Sequence, residues 1–133
     1  MLMLDPDPTD ATRAQRILLL DTDEAGRREL QLLLHGRGFE VRAFASAAPL
    51  LHDGSPGPAD ILLTAEVLRD ADGIAVVDAL RRRGWRGRAV LITALRSPAL
   101  TARARASGFA AVLDVPFHHH DLLAALRASP ATP

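Results

Sequence analysis

Asp60-Ile61-Leu62-Leu63-Thr64-Ala65-Glu66 runs on to Asp72-Gly73 and decides how the rest of the chain is read. From Ile61 to Thr64 there is no polar alternation long enough to make a solvated face. That is the pattern of a central parallel strand covered on both sides. The stretch then passes through a loop into a helix. In an open α/β sheet the functional groups lie just past the carboxyl ends of such strands. Chemistry is therefore expected at Thr64, Ala65 and Glu66, and the middle one is an alanine.

Outward from this strand the same unit recurs. Ile17-Leu18-Leu19-Leu20 is a buried strand ended by Asp21-Thr22-Asp23, residues that also suit a helix start. A helix follows to about Arg37, with Leu30, Leu33 and Leu34 on one face. Phe39 to Ala43 alternates as a half-solvated strand, and Ser46 is the expected N-cap of a short helix through Leu51. Residues 53–58 are loop-like in composition. A helix over Ile74 to Arg83 puts Ile74, Val77 and Leu80 on one face and leaves Arg81-Arg82-Arg83 as a solvated end. Arg88 to Thr93 is the next strand, and Ser97-Pro98 opens a helix that Gly108 stops. Phe109 to Leu113 and Asp121 to Ala128 complete the series, with Ser129-Pro130 as its end. Five alternations with short connections force parallel strands and right-handed crossovers. The expected fold is α/β: a (βα)5 doubly wound, flavodoxin-like domain with a five-stranded parallel sheet in the order 2-1-3-4-5. It spans residues 16–129, between a flexible N-terminal tail at 1–15 and a C-terminal tail at 130–133.

Composition narrows the function. The 133 residues suit one domain. There is no cysteine, so disulfides and thiolate metal sites are excluded. Sixteen basic residues balance sixteen acidic ones, which removes the simplest argument for nucleic-acid binding. Every one of those basic residues is arginine. No apolar run is long enough to span a membrane, and Met1-Leu2-Met3-Leu4 before Asp5-Pro6 is no signal peptide, so a cytoplasmic location is expected.

With these elements in order, the chain from about Arg16 to Arg127 resembles the receiver domain of two-component response regulators, a CheY-like family. The matching residues are Ile17 to Asp23, Asp72-Gly73, Val90-Leu91-Ile92-Thr93-Ala94 and Val115-Pro116-Phe117. The wording from Leu80 to Ala94 is most similar to receivers of nitrogen-fixation and nitrate-response transcriptional regulators. The resemblance implies phosphoryl transfer to an aspartate after strand three. Acidic residues after strand one would hold magnesium, a lysine after strand five would neutralise charge, and a threonine after strand four would bind the phosphoryl oxygen.

Carried over residue by residue, the match fails at its centre. The phosphoacceptor position, eight before Gly73, is Ala65, and the lysine position before Pro116 is Val115. The acidic pair reads Asp21-Thr22, with Asp23 following; Thr93 is kept, and the position of the family's switching aromatic falls at Val112. An alanine cannot accept a phosphoryl group. The resemblance thus implies a degenerate pseudo-receiver: not an enzyme and without a cofactor, magnesium at Asp21 and Asp23 being the alternative.

Further readings remain open. Glu66 is either a constitutive phosphate mimic or a carboxylate turned away, since strand alternation points it opposite to Ala65. His118-His119-His120 reads as a solvated loop and helix cap, because consecutive residues at a helix start diverge by about 100°. The helix from Pro98 to Ser107 is small and basic outside, and the resemblance makes helix four, strand five and helix five a partner face. The candidate interaction residues are Arg103, Arg105, Val112 and Phe117. The function adopted is a phosphorylation-independent receiver domain in bacterial two-component signal transduction, acting by protein contact or as a homodimer. It would be a single-domain regulator or one excised domain, with no direct nucleic-acid or membrane binding. One alternative is a small-molecule sensor, in which the pocket at Asp21, Thr22, Ala65, Thr93 and Val115, having shed its charges, takes a neutral or apolar ligand. The other is a conventional phosphorylated regulator.

Overall fold

The computed structural model describes residues 14–52 and 59–127. The expected C-terminal tail, the 53–58 loop, Ser129-Pro130 and nearly all of the N-terminal tail lie outside the described residues. Gln15, assigned to that tail, is tied to the sheet: its carbonyl accepts from the Glu40 N–H at 2.9 Å.

The strands are β1 (Arg16–Leu20), β2 (Glu40–Phe44), β3 (Ile61–Ala65), β4 (Arg88–Thr93) and β5 (Ala111–Asp114). The helices between and after them are α1 (Glu24–Gly36), α2 (Ala48–His52), α3 (Gly73–Arg82), α4 (Pro98–Ala106) and α5 (His119–Arg127). All neighbouring strands pair in parallel, in the order β2-β1-β3-β4-β5. The expected topology and strand order are thus observed.

Because side chains alternate across a strand, each central strand feeds two cores. Leu18, Leu20, Leu62 and Leu91 face one way, where Ile74, Val77 and Leu80 of α3 and Leu100 of α4 pack. Ile17, Leu19, Ile61, Leu63 and Val90 face the other way, against Leu30 and Leu34 of α1 and Leu122 and Leu126 of α5. Two-sided burial is the physical reason that β1, β3 and β4 read as unbroken apolar runs. Buried Thr64 donates its hydroxyl to the Ala65 carbonyl at 3.0 Å, so β3 carries a polar side chain without leaving it unsatisfied.

The helix starts follow their sequence signals closely. Asp23 caps α1 by accepting from Gly26 N–H at 2.8 Å. Asp72 caps α3 through Ile74 N–H at 2.7 Å. Ser97 caps α4 through Leu100 N–H at 3.1 Å, with Pro98 in the first turn. Two expectations are corrected. Asp70, not Ser46, holds the start of α2: its two carboxylate oxygens accept from Ala47 N–H and Ala48 N–H, each at 2.9 Å. And Arg81 is not a solvated helix end. Its guanidinium lies over the Trp85 ring and donates to the carbonyls of Trp85, Gly87 and Gly108, while Arg82 and Arg83 are exposed. Burial lowers the Arg81 pKa, and the carbonyl acceptors offset that desolvation.

The amide bonds to Asp70 hold its carboxyl below the ordinary carboxylate value. A folded pKa below the unfolded one means stability that is present above the unfolded value and is lost as pH falls through the folded value. Asp70→Asn is therefore expected to flatten the loss of stability below about pH 4, as read by urea midpoints across an acid titration. An unchanged acid limb would contradict the long-range cap.

Candidate functional site

The carboxyl ends of β1, β3, β4 and β5 surround one cavity of about 600 Å³. Ala65 and Glu66 come from the end of β3, Thr93 from β4, Asp21 and Asp23 from the turn after β1, and Val115 from the segment after β5. Thr22, assigned to this pocket on its sequence position, does not line it. Leu30 and Glu29 of α1, Ile92, Phe117 and His119 do.

Glu66 is the principal departure from expectation. Its carboxylate accepts from the Thr93 hydroxyl at 2.6 Å, and it faces the cavity together with Ala65. Strand alternation does not reach Glu66 because β3 stops at Ala65. The backbone then closes a turn, in which Glu66 N–H donates to Ile92 C=O and Glu66 C=O accepts from Gly73 N–H, both at 2.8 Å. A Val67–Asp72 bridge completes it. Thr93 is buried, and its oxygen also accepts from Leu95 N–H at 3.1 Å. The one donor of the hydroxyl is thus spent within the chain.

The expectation that the cavity has shed its charges is corrected: its carboxylates remain. Asp21, Asp23, Glu29 and Glu66 line it, and no arginine does. Burial pushes the Asp21 carboxyl up from its ordinary value, against the opposing hydrogen bond from Asp23 N–H. A group whose folded pKa is raised costs stability when ionised, so at neutral pH Asp21 is a charge the fold holds at some expense.

Magnesium fits this donor set poorly. Asp21 spends one oxygen on Asp23 N–H at 3.0 Å, and Asp23 spends one on the α1 cap. The position that would supply a third carboxylate is the methyl of Ala65. Among the described residues no group of three or more His, Asp or Glu side chains is arranged to hold a metal ion. His119 lies in the first turn of α5, as the helix-start reading of the histidine run requires. The Val115–Pro116 peptide is cis.

The candidate interaction residues divide. Arg103 and Arg105 are exposed on α4, and Arg103 pairs with Asp72 at 3.3 Å. Val112 is 7% exposed and packs in the core, so it supports that face from beneath rather than forming it. Phe117 is half-buried and belongs to the cavity wall.

A doubly wound sheet with acidic residues and a threonine at its strand ends defines a protein of the CheY-like class. Residues 17–127 match the response regulator receiver domain, and the chain belongs to that family, which serves two-component signalling. It is 30% identical over 111 residues to the transcriptional regulatory protein FixJ of Azorhizobium caulinodans, covering 84% of this chain and 53% of that protein. The chain thus spans about half the length of this curated relative. Solved structures agree on the fold. The receiver domain of HemR from Leptospira biflexa superposes with a TM-score of 0.79 at 21% identity, over 90% of this chain and 98% of that one. A Clostridium difficile two-component response regulator gives 0.78 at 20%, over 88% and 99%. A Burkholderia pseudomallei response regulator with a phosphorylated aspartic acid, calcium and citrate gives 0.77 at 22%, over 86% and 67%. Among the described residues no helix is long and apolar enough to cross a membrane.

Proposed function

We propose that this chain is a phosphorylation-independent receiver domain that signals by protein contact and catalyses no phosphoryl transfer. The observation that carries this reading is the side chain at the end of β3: Ala65 presents a methyl group to the cavity where an acceptor carboxylate would stand. Two features support it. The chain has no lysine, and Val115 fills the cavity at the position where the family resemblance places one. A dianionic group there would meet four carboxylates and no lysine or arginine to offset its desolvation. The Thr93 hydroxyl is already bound by Glu66, so a side chain of the protein itself occupies the donor that a phosphoryl oxygen would use. In this reading Glu66 holds Thr93 in one arrangement permanently, and the domain has no phosphorylation switch to throw.

The direct test is incubation with acetyl phosphate and magnesium, followed by intact-mass measurement. The expected result is no added phosphoryl mass at any aspartate; a stable aspartyl phosphate would overturn the reading. The partner face is placed on α4, β5 and α5, with Arg103 and Arg105 as its exposed cations. Light scattering is expected to give a dimer mass that falls to the monomer when both become alanine. A monomeric wild type would assign the face to a different partner protein.

A second reading, ligand sensing, is supported by the cavity itself. Its volume of about 600 Å³ lies within the range of small-molecule sites.

A further inference from the structure

The cavity couples apolar walls to a surplus of negative charge. Leu30, Ile92, Pro116 and Phe117 supply hydrocarbon and one aromatic face. Asp21, Asp23, Glu29 and Glu66 supply carboxylates, and among the described residues none of the four is in a salt bridge. Arg27 donates to the Asp21 backbone carbonyl at 2.8 Å and its charge offsets part of that of the Asp21 carboxylate, and His119 is the one lining side chain able to gain positive charge. Three of the large apolar side chains that stand exposed, Val67 (70%), Leu95 (80%) and Val115 (44%), rim this same cavity. Exposed apolar side chains gathered at one opening mark a binding surface rather than random exposure.

We propose that the cavity binds a small organic monocation, a primary ammonium or amidinium group carried on an aromatic or short aliphatic body. The cation would pair with Asp21 on the acidic side of the cavity, and the body would lie against Phe117 and Ile92 under the apolar rim. Each requirement excludes a class of ligand. The carboxylates reject anions, phosphate included. The hydrocarbon walls disfavour divalent ions, which dehydrate reluctantly and keep much of their water shell. A neutral apolar molecule would leave the carboxylates desolvated and unpaired. A cation beside Asp21 would offset by its charge the desolvation that raises the Asp21 pKa.

The inference rests on the ligand-sensing reading and is independent of the phosphorylation test. Phosphoryl uptake would sink the phosphorylation-independent reading while leaving cation binding measurable, and absent cation binding would leave the uptake result untouched. The test is titration calorimetry on the full chain with benzamidinium and 2-phenylethylammonium as probes. 2-Phenylethanol, 3-phenylpropionate and magnesium chloride serve as the neutral, anionic and metal comparisons. The expected result is one site for a probe cation, with the neutral and anionic analogues and magnesium at least about tenfold weaker. Asp21→Asn should lose about tenfold in affinity, the worth of one charge-assisted contact. Val115→Lys, which places a tethered ammonium at the cavity, should abolish binding while the thermal melt remains cooperative. Equal binding of 2-phenylethanol, preference for 3-phenylpropionate or magnesium, undiminished affinity in Asp21→Asn, or no binding of either probe cation below about 1 mM would each overturn the proposal.

Discussion

Gly73→Ala is expected to destabilise the fold by about 3 kcal/mol, the upper part of the range for forced overpacking. A Cβ at this position would stand 2.2 Å from the Ala65 carbonyl oxygen, and 3.0 and 3.2 Å from the Thr64 hydroxyl and methyl. The first contact is with backbone, at the end of a strand paired on both sides, so no rotamer change relieves it. Either α3 must back away or the β3 terminus must bend, and each movement breaks something. Backing away stretches the 2.8 Å bond from Gly73 N–H to Glu66 C=O. It also loosens Ile74 and Val77 in the core beside β3. Bending β3 moves Glu66 off Thr93. At about 4 °C per kcal/mol for a domain of this size, the thermal midpoint should fall by about 12 °C. Gly36→Ala is the matched control. It ends α1, has nothing within 4 Å of its would-be Cβ, and should be neutral or slightly stabilising. Similar melts for both variants would show that the Asp72-Gly73 step is a turn preference rather than a steric requirement.

That result bears on which parts of this domain are legible in its sequence. The sheet order was, because it follows from two patterns with strong physical causes: two-sided burial of Ile17 to Leu20, Ile61 to Thr64 and Ala89 to Ile92, and right-handed crossovers between parallel strands. The caps Asp23 and Ser97 were legible because capping acts within three residues. Asp70 was not, because it caps α2 across a sequence separation of 22 residues for Ala48, and no local rule reaches that far. Arg81 was hidden among three successive arginines. Only the position of Trp85 beneath it and the carbonyls of Gly87 and Gly108 single it out. Ala65 could be placed at the strand end by counting from Gly73. The orientation of Glu66 could not, because period-2 alternation is a property of the strand and Glu66 is the first residue beyond it. One residue of strand length therefore separates a carboxylate turned away from one bound to Thr93. The sign of the cavity is hidden for a related reason. Loss of the acceptor and the lysine suggests neutralisation, whereas Glu29 and Glu66 enter from α1 and the turn after β3 and leave the site acidic.

The second large effect concerns restoring chemistry to that site. Ala65→Asp alone is expected to give no durable phosphoryl mass with acetyl phosphate and magnesium, although it returns the acceptor. The new carboxylate would enter a cavity that already holds Asp21, Asp23, Glu29 and Glu66, and repulsion among like charges favours its protonated, non-nucleophilic form. An acyl phosphate formed there would add two more negative charges with no lysine to receive them. Thr93 could not help while its hydroxyl is held by Glu66 at 2.6 Å. Two charge-assisted hydrogen bonds are therefore missing, together worth about 4 kcal/mol, or roughly a thousandfold in the stability of the product. Combining Ala65→Asp with Val115→Lys supplies the acceptor and the cation at the cavity. Adding Glu66→Ala then releases the Thr93 hydroxyl. Intact mass should show uptake first in the double variant, and longer-lived phosphoryl mass in the triple one. Durable phosphorylation of the single Ala65→Asp variant would show that the lysine position and the Glu66–Thr93 bond count for less than their charges imply. Uptake that rises only when Glu66 is removed would make that bond, rather than the missing lysine, the element that keeps the restored aspartate silent.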